Sequence, residues 1–178
     1  LEKENVNLKE IFKNTNGILV PGGFGTRGIS GKIKAINYAR VNKIPFLGIC
    51  LGMQLAVIEF ARNVAGIKDA SSTEFDEMCK NPVIDLMADQ KSIINMGGTL
   101  RLGNYECSLK EKTLAHKVYK EDKILERHRH RYEFNNEYKE LLEQKGLVFS
   151  GINEASNLVE IVEIPTHPHF IASQFHPE

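Results

Sequence analysis

The chain has 178 residues, of which 42% are hydrophobic and 26% charged. That balance excludes a disordered or fibrous chain and suits one globular domain. Lys plus Arg number 23 and so do Asp plus Glu, giving zero formal net charge, which argues against the broad basic surplus of a nucleic-acid binder. No apolar run reaches the roughly 18 residues of a membrane span, and the polar opening over residues 1–10 does not read as a secretory signal. Three cysteines, Cys50, Cys79 and Cys107, are too few and too oddly numbered for a disulfide scaffold, and their spacing fits no zinc pattern. A reducing, cytoplasmic setting is the simpler reading.

In chain order, Leu8, Ile11 and Phe12 stand at helical spacing. Ile18-Leu19-Val20 is a short apolar run bounded by turn residues, which predicts a buried strand. Pro21-Gly22-Gly23-Phe24-Gly25 follows it directly. A helix is predicted over residues 31–42, with Ile33, Ile36 and Ala39 on one face. After Pro45 the run 46–49 predicts a second buried strand, and residues 51–63 a second helix. Residues 64–97 are irregular, with one brief helix predicted near 83–89. Further strands are predicted at 99–107, 147–152, 158–164 and 170–175, and a short helix at 136–144 closed by Gly146. The strand–helix–strand–helix order predicts parallel pairing with right-handed crossovers. The fold class is therefore α/β, a three-layer arrangement with a mostly parallel central sheet, helices on both faces and smaller antiparallel strands.

Gly48-Ile49-Cys50-Leu51-Gly52 lies between a predicted strand and a predicted helix. This is the Gly-x-nucleophile-x-Gly form of a nucleophile elbow, whose sharp turn pushes the central side chain out of the sheet. A helix start presents free N–H groups and a positive dipole end, which predicts a lowered thiol pKa at Cys50. In a parallel sheet the loops at strand C-termini converge on one edge, so the Gly22-Gly23 loop is predicted beside Cys50. The N–H groups of Gly23 and Leu51 are then candidates for an oxyanion hole. Gly23 to Gly28 also fits Gly-x-Gly-x-x-Gly, but Lys43 and Ile44 stand where a dinucleotide site needs an acid, and no Gly-x-x-x-x-Gly-Lys-[Ser/Thr] occurs.

His176 and Glu178 flank Pro177, which favours extended backbone at His176. Residues two apart in extended backbone point the same way, so Glu178 is placed to orient a His176 base. His116, His128, His130, His167 and His169 compete for that role, and His167 and His169 read as surface loop residues. Arg127, Arg129 and Arg131 would share one face of an alternating strand, able to meet a carboxylate, a phosphate or RNA, though zero net charge and the lack of a stacking-aromatic series disfavour nucleic acid. The bland alternatives stand beside these readings: Cys50 as a small buried apolar side chain, the glycine loop as a plain turn, and the arginine run as a solvated strand. Cys79 and Cys107 lack a glycine frame and read as structural.

Together, Pro21-Gly22-Gly23-Phe24-Gly25, Gly48-Ile49-Cys50-Leu51-Gly52-Met53-Gln54 and Phe175-His176-Pro177-Glu178 resemble the class I glutamine amidotransferases of the Cys-His-Glu type. The finer likeness is to the glutaminase domains of the CTP synthase family. It is carried by Gly22 to Gly28, Leu51 to Asn63, Ser72 to Asp76, Met96 to Gly103 and Glu126 to Glu133. The resemblance implies a flavodoxin-like fold, with Cys50 as nucleophile, His176 as base and later acid, Glu178 as its orienter, and Gly23 and Leu51 as oxyanion donors. It implies a glutamine pocket of Phe24, Gln54, Glu74, Arg131 and Tyr132, with Glu74 toward the substrate ammonium and Arg131 toward its carboxylate. It implies no metal in this domain. In the complete enzyme it implies ATP and Mg2+ in a synthetase domain, UTP as ammonia acceptor, GTP as allosteric activator and a homotetramer, with no nucleic-acid or membrane partner. Residues 1–178 are expected to be one glutaminase domain trimmed at both ends, without the synthetase domain. The alternatives are a stand-alone cysteine hydrolase such as a gamma-glutamyl peptidase, and a catalytically silent regulatory domain.

Overall fold

Short apolar runs set between turns become the strands that carry the site. The computed structural model describes residues 1–3, 5–86 and 100–177. A one-turn helix α1 (Leu8–Ile11), capped by the Asn7 side chain, leads to strand β1 (Ile18–Val20). Helix α2 (Ile29–Asn42), strand β2 (Phe46–Ile49) and helix α3 (Leu51–Asn63) follow where the sequence predicts them. Next come β3 (Ala70–Ser72), β4 (Asn81–Leu86), β5 (Arg101–Leu109), α4 (Leu114–Tyr119), β6 (Lys123–His130) and β7 (Tyr132–Phe134). A 3-10 turn at Asn136–Tyr138 runs into α5 (Lys139–Gln144), before β8 (Val148–Asn153), β9 (Leu158–Glu163) and β10 (Phe170–Ser173).

The larger sheet has the order β1-β2-β10-β9-β8-β5-β6, and the smaller one β3-β4-β7. Strands β1, β2 and β10 pair in parallel, with Ile18 and Phe170 both opposite Phe46. From β10 outward through β9, β8, β5 and β6 every pairing is antiparallel. The expected parallel character therefore holds for the three strands beneath the site and not for the rest of the sheet. Short connections account for the β8–β9 and β9–β10 pairings, since only antiparallel neighbours can be joined by a tight turn. A second correction concerns residues 83–89. Val83 to Leu86 belong to a strand, because Val83 and Ile84 are buried between β3 and β7, with Ile84 opposite Phe134. Residues 87–89 and 96–99, which also carried expectations, lie outside the described residues.

Helix α3 is buried from Leu51 through Ala61, as befits a helix apolar on nearly all sides. Its one buried charge, Glu59, is fully satisfied. Arg40 of α2 reaches both carboxylate oxygens at 2.8 Å, and Asn37 and Asn63 donate at 2.8 and 3.1 Å. A buried carboxylate is tolerated only with such partners, and these lock α2 onto α3. Across the sheet, Cys107, Leu109, Ala115, Ile124, Ile161 and Phe175 form a second apolar cluster under α4. Ile161 joins that cluster while Val162 joins the α3 side, so β9 is covered on both faces. Glu163 accepts the Leu114 and Ala115 N–H groups at 2.8 and 2.7 Å, and so caps α4 from the sheet.

The start of α3 lies against the parallel strands because two side chains are missing. A Cβ on Gly52 would overlap the Val20 carbonyl oxygen, and one on Gly48 would stand 2.8 Å from the Gly52 carbonyl carbon and 2.9 Å from the Ala172 Cβ. Backbone cannot yield to such overlap as a flexible side chain can. Gly52→Ala should therefore cost at least about 3 kcal/mol or prevent folding. Thermal unfolding with an unchanged midpoint would show that the contact is not tight.

Candidate active site

Cys50 occupies the turn between β2 and α3 with φ 53° and ψ −106°. A non-glycine residue in that region is strained and persists only where its surroundings impose it. Here the imposed contacts are the two glycines and a bond from the Cys50 N–H to the Ser173 carbonyl at 2.7 Å. His176 follows β10 and is tied to β6, its N–H donating to the Arg127 carbonyl at 2.9 Å. The imidazole comes to the first glycine loop. A Cβ on Gly22 would lie 2.9 Å from His176 Cε1, 3.7 Å from His176 Nε2 and 3.5 Å from the Cys50 Cβ. Thus Gly22, Cys50 and His176 meet at one point, drawn from three segments of the chain. Gly23 lies against the Leu51 side chain, and the Leu51 N–H is directed to the Cys50 sulfur. Glu178 lies outside the described residues.

The predicted lowering of the Cys50 pKa does not occur. Burial pushes the thiol up to about 11, and Glu133 and Glu74 add to the rise. The Leu51 N–H and the Gln174 amide oppose it without prevailing. The sulfur is 3% exposed as part of its residue, and loss of water penalises the thiolate more than one helix end favours it.

Around this point stand the predicted pocket residues. Gln54, one turn along α3, donates from Nε2 to the Tyr132 carbonyl at 3.0 Å and to Gln174 Oε1 at 3.2 Å. Glu74 accepts the Gly25 N–H at 2.8 Å, which joins the loop after β3 to the glycine loop. Burial raises the Glu74 pKa, while the Gly25 N–H and then Arg131 counter the rise. Arg131 sits in the bend between β6 and β7, half-buried beside Tyr132. Phe24 is 62% exposed at the tip of the glycine loop, at the rim and not in the wall. Among the described residues no group of three or more His, Cys, Asp or Glu side chains is placed to hold a metal ion.

The arginine-histidine run divides by face. Arg127 and Arg129 are exposed, His128 and His130 are buried, and Arg131 lies beyond the strand. The buried histidines enter a charged cluster that sequence reasoning missed. Arg101 reaches Glu160 at 2.8 Å and Glu133 at 3.3 Å, and His130 Nε2 lies 2.7 Å from Glu133. His128 Nδ1 stands 3.6 Å from Glu160. Burial, then Arg101, His130 and His176, push the His128 pKa down to about 2, so it is neutral there. The available signals were the alternation of His128 and His130 and a glutamate, Glu160, set among the apolar residues of the predicted 158–164 strand. His167, expected at the surface, is buried, with Nε2 3.1 Å from the Ala39 carbonyl.

Two outcomes follow from these charges. Burial pushes the Glu160 carboxyl up to about 7, so its ionisation opposes folding progressively as pH rises toward and through 7. Arg101 offsets that effect. Arg101→Met should destabilise by about 3–5 kcal/mol, with a larger loss at pH 8 than at pH 6, measured by denaturant unfolding at both. For Cys50, alkylation by iodoacetamide, followed by mass mapping, should keep rising with pH beyond 9. A plateau below pH 8 would instead mean a preformed thiolate.

The family model for "Glutamine amidotransferase class-I" matches residues 2–178. A CTP synthase of Caldanaerobacter subterraneus subsp. tengcongensis is 64% identical over 98% of this chain and 33% of its own length. That of Bacillus subtilis is 58% identical over 97% of this chain and 32% of its own. The chain thus spans about one third of the curated relatives it matches. The solved Trypanosoma brucei CTPS glutaminase domain with bound acivicin superposes with a TM-score of 0.88 at 40% identity, covering 95% of this chain and 66% of that one. A Thermoplasma acidophilum structure described as a putative GMP synthase subunit shares the fold at 18% identity and a TM-score of 0.62. With a strained cysteine at a glycine-framed elbow, a histidine against it and a family match along nearly its whole length, the chain belongs to the class I glutamine amidotransferases.

Proposed function

We propose that this chain is the glutaminase domain of a CTP synthase, hydrolysing L-glutamine to glutamate and ammonia. The observation that carries the chemistry is the meeting of Cys50 and His176 across Gly22. The 64% identity to a CTP synthase supports the finer reading.

In the mechanism, His176 takes the Cys50 proton as the sulfur attacks the carboxamide carbon of glutamine. Charge moves onto the carbonyl oxygen, where the Gly23 and Leu51 N–H groups receive it. The imidazolium returns its proton to the departing ammonia, leaving a thioester. His176 then deprotonates a water, which attacks the thioester, and the returning proton restores the thiol as glutamate leaves. Glu178 would orient the imidazole. Glu74 would meet the substrate ammonium and Arg131 its carboxylate, a fork-to-fork match, with Gln54, Tyr132 and Phe24 completing the pocket. The ammonium has a second effect. It offsets the Glu74 charge that helps to raise the Cys50 pKa, so a bound substrate eases ionisation of its own nucleophile.

In the complete enzyme the ammonia would aminate ATP-activated UTP in a synthetase domain of the same polypeptide, as part of a homotetramer activated by GTP. This chain has no phosphate loop of the Gly-x-x-x-x-Gly-Lys-[Ser/Thr] type, and its described residues offer no group of magnesium ligands. We assign ATP and Mg2+ to the synthetase part, and no step here is routed through them. No helix among the described residues is long and apolar enough to cross a membrane. The three free cysteines suit a reducing compartment, and we place the enzyme in the cytoplasm.

Glutamine hydrolysis by the native chain and by Cys50→Ala tests the reading. The substitution should lower turnover by at least about 10⁴-fold while leaving the circular dichroism spectrum intact, and acivicin should attach at Cys50. Equal turnover in both proteins would refute the nucleophile. Hydrolysis of gamma-glutamyl peptides without glutamine turnover would replace the glutaminase with a peptidase.

A further inference from the structure

Gln174 lies two residues before His176 and acts on Cys50. It is fully buried. Its backbone is fixed on both sides: the preceding Ser173 carbonyl accepts the Cys50 N–H at 2.7 Å, and the Gln174 N–H donates to the Glu160 carbonyl at 2.8 Å. Its side chain is fixed as well. Gln54 Nε2 donates to Gln174 Oε1 at 3.2 Å and to the Tyr132 carbonyl at 3.0 Å. Gln54 is itself anchored over the elbow, its own N–H bonded to the Cys50 carbonyl at 3.2 Å.

A carboxamide has one oxygen that accepts and one nitrogen that donates. Holding the oxygen on Gln54 decides where the nitrogen points. Gln174 Nε2 is buried and makes no hydrogen bond among the described residues, and the Gln174 side chain lies near enough to Cys50 to oppose the rise in its pKa. A buried donor left without a partner is costly and calls for an explanation. A neutral thiol is a weak acceptor, whereas a thiolate is a strong one. The missing bond is therefore one that forms when the sulfur becomes charged.

We infer that Gln174 is a catalytic residue whose Nε2–H donates to the Cys50 sulfur as negative charge develops there, and that Gln54 is the positioning residue that aims it. The inference rests on Cys50 being the nucleophile. No proton is transferred by the amide, which keeps both of its hydrogens throughout. His176 still takes the thiol proton, and Gln174 stabilises the anion left behind. The other charged groups that face this sulfur are Glu74 from the turn after β3 and Glu133 from β7, both of which oppose the thiolate, and His176 from the segment after β10. Gln174 thus opposes the two carboxylates together with the Leu51 N–H.

The experiment is the pH profile of Cys50 alkylation by iodoacetamide, read by mass mapping so that Cys79 and Cys107 do not interfere. It is run on the native chain, on Gln174→Met and on Gln54→Leu, alongside glutamine kinetics. Gln174→Met keeps the volume and removes the donor. Its midpoint should move up by about one pH unit, with about tenfold slower alkylation at any fixed pH below it, and kcat for glutamine should fall with KM nearly unchanged. Gln54→Leu should shift the midpoint in the same direction by a smaller step. An unmoved midpoint in folded Gln174→Met overturns the inference. If that variant does not fold, an unmoved midpoint in Gln54→Leu does the same. A native chain that alkylates at Cys50 but does not turn over glutamine would defeat the glutaminase reading, while the midpoints would still decide the part played by Gln174.

Discussion

Everything in the site depends on how closely the first turn of α3 approaches the parallel strands. The approach is possible only because Gly48 and Gly52 present no side chains to Val20, Ala172 and each other. It forces Cys50 into positive φ, which turns the sulfur away from the sheet and toward the loop of Gly22. The strain is local, and the restraint is distributed among β1, β2 and β10. A buried helix with its first turn fixed in this way has no freedom to relax the elbow. The clamp of Arg40 on Glu59 holds the later part of the same helix to α2, so α3 is held near both ends of its buried stretch.

That rigidity has an electrostatic consequence. The sulfur is withdrawn from water, and its nearest fixed charges are carboxylates. Behind it lies the cluster of Arg101, Glu133, Glu160, His128 and His130, in which one permanent cation faces two buried acids. Such clusters seldom add net stability over an apolar core, and they are most costly when a single partner is lost. The residues flanking the bend at Arg131 and Tyr132 are His130 and Glu133, which contact each other at 2.7 Å. The cluster therefore closes the bend that presents the candidate substrate-binding pair, and Gln54 holds the same bend from the other side through the Tyr132 carbonyl.

How much of this was legible in the sequence differs by element, for physical reasons. The elbow and α3 could be read because their signals are local: glycines at fixed offsets and an apolar periodicity. Strand β4 could not, because Pro82 disfavours a strand interior and its apolar residues, Val83, Ile84 and Leu86, are broken by Asp85. What makes it a strand is pairing with β3 and β7, which no short window contains. For the run from Arg127 to Arg131 the alternation was visible, but alternation does not reveal which face is buried. The positions of Arg101 and Glu160 against the histidines are long-range facts, and so is the place of Gln174 beside Cys50. The thiol pKa was misjudged because a helix start can be seen in a sequence and the depth of burial cannot.

A buried thiol with a pKa of about 11 has only about one part in 10⁴ as thiolate at pH 7. At first sight this is a poor nucleophile. Its merit lies in the states it avoids. Thiolate is the form that oxidises and reacts with stray electrophiles, and a resting neutral thiol is spared both. It also separates the empty enzyme from the loaded one. On the proposed mechanism, ionisation becomes favourable as His176 accepts the proton, a substrate ammonium offsets Glu74 and the Gln174 amide tightens its hold on the sulfur. The first two of these contributions are absent from the resting site, and the third strengthens as the sulfur takes up charge. Binding energy is thereby directed to the transition state and withheld from the ground state, which is the condition for raising kcat and not merely lowering KM. The same burial that makes the free thiol inert makes each of these interactions stronger once it forms.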